Sequence, residues 1–376
     1  MDSSDDAAGR CTTRESTFSL LQELLWAYGP GGREDDVRSI CIRELGPLVD
    51  QTWVDDAGNV VGVVRGESTS RKMQPIRVMA HMDELSMLVK RVESDGTLHL
   101  SPLGTMYPGN FGLGPVAILG RNETLCGVLT LGSEHTTRES QRIWETKPDQ
   151  GDRSLDWSHV YVFTGRTGDE LTKAGITPGT RICIDRTKRS IVEIGEYVGS
   201  YFMDDRAAIV VLLEAARRLR ASTEHLPQDV YLVFTTNEEI GGVGAAYAHR
   251  QLPEGITLAV EVGPTEREYD TSVSGGPIVA YSDAQCVYDT AVADQLMDLA
   301  TELGAHPQAA VLGAFESDAS HGKAAGLAPR AGLLCIPTLS THGYEVIARD
   351  ALETTVEVLL AFLRQPSMRL SHAGGG

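Results

Sequence analysis

Five short stretches concentrate side chains that bind cations or move protons. They are "AHMDE" with His81 and Asp83, "FMDDR" with Asp204 and Asp205, "TNEEIGG" with Glu238 and Glu239, "LAVEVG" with Glu261, and "LSTHGYE" with His342. Each lies at or beyond the end of a run such as "IRVMA", "YVGSYFM", "VYLVFTTN", "ITLAV" or "GLLCIP", the pattern of a largely buried strand. Neutral imidazoles and carboxylates suit borderline-hard divalent ions such as Zn²⁺, Mn²⁺ or Co²⁺. Taken singly, each has an ordinary explanation: a histidine after a strand is usually hydrogen-bonded structure, and paired glutamates are usually a solvated loop. Five strand ends carrying ligand-type side chains point instead to a shared metal site, because open α/β sheets bind ligands beyond the carboxyl ends of their strands.

Spacing refines this. In an extended "HMD", His81 and Asp83 share a face, so Asp83 can accept the second ring N–H and orient a ligating imidazole. "NEEIGG" leaves its strand, so one glutamate can ligate while its neighbour holds a water. One aspartate of "DDR" suffices to cap the helix that follows; the other is free to bind metal.

The elements that position these residues alternate. Helical periodicity over Ser16–Val49 is broken by Gly-Pro-Gly-Gly, which predicts two helices and a turn. "IRVMAHMDELSMLV" reads as one continuous buried strand. "RAAIVVLLEAARRLRAS", "VADQLMDLATELGA" and "ARDALETTVEVLLAFLRQ" read as helices between later strands. The fold class expected is α/β, a mostly parallel sheet flanked by helices. The stretch 93–193 differs: it has short β runs, frequent glycines and one short helix, "GDELTKAGI". It is expected to be a small β-rich domain inserted between 16–92 and 194–366. Residues 1–15 and 367–376 are expected to be flexible tails.

The chain has 376 residues, with 33 Lys and Arg against 52 Asp and Glu for a net charge of −19. That balance argues against nucleic acid or an anionic membrane as the main partner. Six scattered cysteines without a CxxC pair, and no signal-like N-terminus, predict reduced thiols in a cytoplasmic protein.

The ordered set "AHMDE", "DDR", "NEEIGGVGA", "AVEVGP", "SDAS" and "THGYE" resembles the cocatalytic metallo-aminopeptidases of the glutamyl-aminopeptidase and tetrahedral (TET) type, over about Ser16 to Gln365. The resemblance implies an α/β catalytic domain interrupted by a PDZ-like domain, two divalent metal ions, and homo-oligomers that are often dodecameric. By position, it makes Asp204 the carboxylate bridging both ions, with a cis peptide to Asp205, which serves the local backbone and helix start. His81 and Glu261 complete one metal site, and Glu239 and His342 the other. Glu238 is the general base, Asp83 orients His81, and Asp318 and Leu339 border the substrate pocket. Zinc is the expected metal, with cobalt or manganese as alternatives. Two ions against three carboxylates leave surplus positive charge, which acidifies a shared water and polarises a scissile carbonyl. The expected reaction is removal of the N-terminal residue from short peptides or small amide substrates.

Two departures stand out. Glu261 occupies a position that is more often aspartate, and "LSTHGYE" replaces the usual "RYxHS", with Leu339 for arginine. "THGYE" is similar to a branch of the family associated with osmoprotectant peptide metabolism. Alternative readings are an amidohydrolase acting on an N-acylated or osmoprotectant-type small peptide, and a catalytically impaired metal-binding scaffold. Glu238, unnecessary for merely holding metal, argues against the scaffold. Glycoside hydrolysis needs two carboxylates ~5–9 Å apart across a sugar and gives no reason for histidines at two strand ends. His321 in "SDASHGK" is read as lining the pocket or facing solvent, and "GGVGA" as a tight turn into a helix.

Overall fold

Two β-structures organise the chain: an eleven-stranded sheet and a closed barrel of six strands. The computed structural model describes residues 4–67, 73–147, 151 and 153–367, with side chains from residue 15 onward. The centre of the sheet is four adjacent parallel strands in the spatial order Val230–Thr235, Ile76–His81, Ile256–Pro264 and Arg330–Leu339. They are buried along almost their whole length, so their sequences read as continuous apolar runs. The hairpin Gln51–Val54 and Val60–Val64 finishes one edge. Tyr344–Ala348, Tyr197–Tyr201 and Val192–Ile194 finish the other, all in antiparallel pairing. The expected parallel sheet is therefore its centre, and the whole is mixed. Two antiparallel steps return Tyr197–Tyr201 to the direction of the central four, so five strands end on one edge.

Helices cover both faces. Val78, Ala80, Leu232, Leu258, Val260 and Leu334 share a core with the helices Met203–Ala221, Thr290–Glu302 and Ala351–Leu363. The intervening Met79, Tyr231 and Val233 pack on Ala245 and Ala248 of the helix Val243–Gln251. Ala259, Leu333 and Cys335 pack with Ala319 of the helix Asp318–Ala324. Each fully buried valine or leucine contributes roughly 1.5–3 kcal/mol, so a polar residue at Leu232 or Leu258 would unseat a strand that carries the site.

The barrel runs from Ser86–Val92 to Arg181–Ile184, so its first strand lies ahead of residue 93. The run read as one strand is two: Ile76–His81 in the sheet and Ser86–Val92 in the barrel. Met82–Leu85 between them, with the acids Asp83 and Glu84, is buried as well, so no exposed turn marks the crossing. The short helix Gly168–Lys173 is present, with a capping box between Thr167 and Glu170. Of the expected tails, residues 4–15 fall in the helix Ser4–Trp26 and residue 367 is buried. Residues 1–3 and 368–376 lie outside the described residues. Among the described residues no helix is long and apolar enough to cross a membrane, and Cys41, Cys126, Cys183, Cys286 and Cys335 are free.

Candidate active site

The chemistry-bearing stretches converge on the C-terminal edge of the parallel strands. His81 is the last residue of its strand and is paired in register with Thr235. Glu261 lies inside its strand, not beyond it; the ladder to the His81 strand stops at Met79 and Ala259. Two residues further, on the same face, His81 Nε2 and Glu261 Oε2 are 3.6 Å apart. Asp204 stands between two groups. Its Oδ1 is 2.8 Å from His81 Nε2, and its Oδ2 is 3.6 Å from His342 Nε2. His342 Nε2 is in turn 3.7 Å from Glu239 Oε2. The first group, His81, Asp204, Asp205 and Glu261, is largely buried, while Asp204, Glu239 and His342 are half-buried. Within each group the ligand atoms lie within 4.8 Å of one another.

The supporting contacts differ in part from the expectation. The His81 ring Nδ1 lies 3.1 Å from the Asp83 backbone carbonyl and 3.6 Å from its carboxylate. The Asp83 carboxylate instead accepts the backbone N–H groups of Glu238 and Glu239, at 2.9 and 3.2 Å. One buried acid thus ties the "HMD" segment to the "NEE" turn. The Asp205 carboxylate accepts the His81 N–H at 3.1 Å, and both Asp204 and Asp205 keep non-helical φ/ψ ahead of the regular helix. The Asp204–Asp205 peptide is cis. Phe202, Asn237 and His342, at or beside the site, have positive φ (64°, 54° and 61°), a conformation uncommon for residues other than glycine.

Sequence reasoning missed several supports. Glu345 accepts the N–H groups of His342 and Asp204, each at 3.0 Å, and so pins both sides of the second group. The barrel supplies the Thr105 carbonyl, 2.7 Å from His342 Nδ1, which leaves Nε2 for a ligand. Glu84 is fully buried between Arg189 and Arg206, with 2.7 Å contacts to each. Arg206 also donates to the carbonyls of Met82 and Asp83. The available signals were the acid in "THGYE" and the charges of "MDE" and "DDR" inside apolar surroundings.

The chemistry of the donors fits divalent cations. Glu239 Oε1, Glu261 Oε1 and Asp205 Oδ1 are buried without a hydrogen-bond partner, a state that needs an explanation such as an ion. Burial, then nearby carboxylates, push Glu238 and Glu261 well above the usual carboxylate range. Burial raises Glu239 to about 7 despite the opposing pull of His342. Burial would lower His81 and His342, but their carboxylate neighbours outweigh it; His81 rises well above its ordinary value and His342 to about 9. Asp204 goes the other way: its hydrogen bond and charge contact with His81 overcome burial and lower it. A cation between these groups would take over the role of the protons.

Above them opens a cavity of about 570 Å³, lined by His81, Asp204, Glu238, Glu239, Glu261 and His342 at its floor. Glu266, Glu268, Tyr269, Phe315, Glu316 and His321 contribute to its walls, and no lysine or arginine is among the described residues that line it. Asp318 and Leu339 are not lining residues: Asp318 is fully buried and accepts from the Thr235 hydroxyl, and Leu339 is exposed at its strand end.

The M42 glutamyl aminopeptidase family profile matches residues 58–358. A lysyl aminopeptidase of Pyrococcus furiosus is 26% identical over 248 residues, 65% of this chain and 66% of its own. Aminopeptidase APDkam598 from Desulfurococcus kamchatkensis superposes with a TM-score of 0.81 at 26% identity, covering 93% of this chain and 95% of that one. The TET1 peptidase of Pyrococcus horikoshii, which can assemble into a tetrahedron or a large octahedral shell, superposes with a TM-score of 0.79 at 22% identity. That match covers 93% of this chain and 99% of the other. The chain belongs to the M42 glutamyl aminopeptidase family and is a peptide-bond hydrolase.

Proposed function

We propose that the chain is an aminopeptidase dependent on two divalent ions, zinc by preference of the donor set with cobalt or manganese as alternatives. It would remove the N-terminal residue from short peptides. The observation that carries this reading is Asp204, whose two carboxylate oxygens face two separate imidazole–carboxylate groups. His81, Asp204 and Glu261 would hold one ion, and Asp204, Glu239 and His342 the other. When bound, such ions polarise a scissile carbonyl and lower the pKa of an attacking water.

The remaining work falls to the chain itself. Glu238, on the cavity floor beside Glu239, takes the water's proton and hands it to the leaving amine. Asp83 holds the turn that carries both glutamates. The acidic walls formed by Glu266, Glu268 and Glu316 attract a free N-terminal ammonium. An acylated substrate offers no such cation. By analogy with the TET1 peptidase, the working form would be a homo-oligomer.

The test is to strip the protein with chelator, restore Zn²⁺, Co²⁺ or Mn²⁺ separately, and supply peptides with free or acetylated N-termini. Metal-dependent shortening of free peptides by one residue, followed by mass spectrometry, is the expected result. The Glu238→Gln variant should lose about 10²–10⁴-fold in rate while retaining its metal. Cleavage confined to acylated peptides would replace this reading with amidohydrolysis, and loss of metal from Glu238→Gln would remove the role given to Glu238.

A further inference from the structure

One histidine lines the cavity without belonging to either ligand group. His321 Nε2, on the helix Asp318–Ala324, is 3.3 Å from Glu316 Oε2 and 3.9 Å from Glu238 Oε1. Glu316 is itself held by Gln285, whose Nε2 donates to Oε1 at 2.8 Å. The imidazole rests on the turn that carries Glu238. A Cβ at Gly242 would stand 2.6, 2.7 and 2.8 Å from Cδ2, Cγ and Cβ of His321, too close for any side chain, and Gly242 has φ +62°. The N–H groups of Gly241 and Gly242 both return to the Glu238 carbonyl at 3.0 Å, so ring, turn and Glu238 form one unit. Among the described residues no hydrogen bond reaches the Glu238 carboxylate, although a proton-transferring group must be held in place to work.

We propose that His321 is a positioning residue for Glu238. Its Nε2, in the gap between Glu316 and Glu238, keeps the Glu238 carboxylate turned toward the ligand groups. The inference rests on the aminopeptidase reading of the site. The 3.9 Å separation suits this role, because such contacts are often long without substrate and tighten once it binds. Gly242 provides the room, and Glu316 with Gln285 fixes the far side of the ring.

The test uses the metal-reconstituted full chain, with kcat and KM measured on a peptide that the wild type cleaves. Bound metal and the thermal unfolding midpoint are measured alongside. His321→Ala should lower kcat about 10- to 100-fold, the scale of a misplaced catalytic group, with KM, metal content and midpoint nearly unchanged. His321→Gln should recover part of the rate, because its amide can reach the same gap. Introduced into a Glu238→Gln background, His321→Ala should change the residual rate by less than about threefold, since residues acting as a unit are not additive. Wild-type kcat in His321→Ala, or an equal loss in both backgrounds, overturns the inference. So does loss of metal or of the unfolding midpoint without recovery in His321→Gln. A wild type that cleaves no free peptide with any metal overturns the aminopeptidase reading itself, whereas an active wild type with an unaffected His321→Ala removes only the role of His321.

Discussion

Around His81 the ligand-type side chains are packed into the sheet edge, where Asp205 and Glu261 are 0% and 3% exposed. Across Asp204, the His342 side chain is 36% exposed. The difference follows from what carries each group. His81 and Glu261 sit on neighbouring parallel strands of the α/β core, and Asp205 grips the His81 backbone. His342 lies on a loop held by Glu345 from one side and by the barrel's Thr105 carbonyl from the other. The deep group is therefore a product of the sheet, while the open group takes part of its support from a loop of the barrel. On the two-ion reading, the deep position retains its ion and the open one exchanges it.

The hardest test of that contrast is Asp204→Asn, which removes the carboxylate common to both groups. It should abolish turnover and reduce bound metal from about two ions per chain to below one, as read by elemental analysis. His342→Ala should instead empty only the open position. We expect about one ion retained, a rate loss of at least about 10²-fold, and an almost unchanged unfolding midpoint. Loss of both ions from His342→Ala would erase the distinction between the groups.

Acidity provides a further test of the open group. His342, raised to about 9, and Glu239, raised to about 7, must both shed protons before they can ligate. Lower pH favours the protonated, non-ligating forms. Affinity at the open position should therefore climb as pH rises through that range, with protons released on binding. Calorimetry in buffers of different ionisation enthalpy reads both, and an affinity flat across the range would contradict ligation by these two residues.

Behind the deep group, Glu84→Gln leaves Arg189 and Arg206 buried without their carboxylate. Breaking such an arrangement costs about 3–5 kcal/mol, measurable by denaturant unfolding. Glu345→Gln is a smaller change. It puts an amide donor against one of the two N–H groups that Glu345 now accepts, for about 1–3 kcal/mol. It should weaken metal retention at the open position more than at the deep one. Equal weakening would show that Glu345 supports Asp204 alone.

Much of this was legible from the residues. The central strands announce themselves because burial on both faces leaves no polar alternation, and each carries its ligand-type residue at or near its C-terminal end. The beginning of the barrel was not legible: the segments on both sides of the crossing at Met82–Leu85 are largely apolar and buried, and the acids at the crossing, Asp83 and Glu84, are buried too and read as site chemistry, not as a change of sheet. Asp83 was recognised as a supporting residue, but which of its atoms meets His81 depends on how the chain turns after the strand.

By itself, then, the sequence determined the chemistry available: histidines and carboxylates at strand ends, a general-base candidate beside a ligand candidate, and a strongly acidic chain. Local chemistry and period-two burial are written residue by residue. Tertiary structure decided which atoms meet. It turned the two oxygens of Asp204 toward different partners, brought Glu345 to Asp204 and Thr105 to His342, and laid His321 on Gly242 beside Glu238. Those contacts join residues far apart in the chain, and their distances are set by strand register and helix packing, which no local pattern encodes.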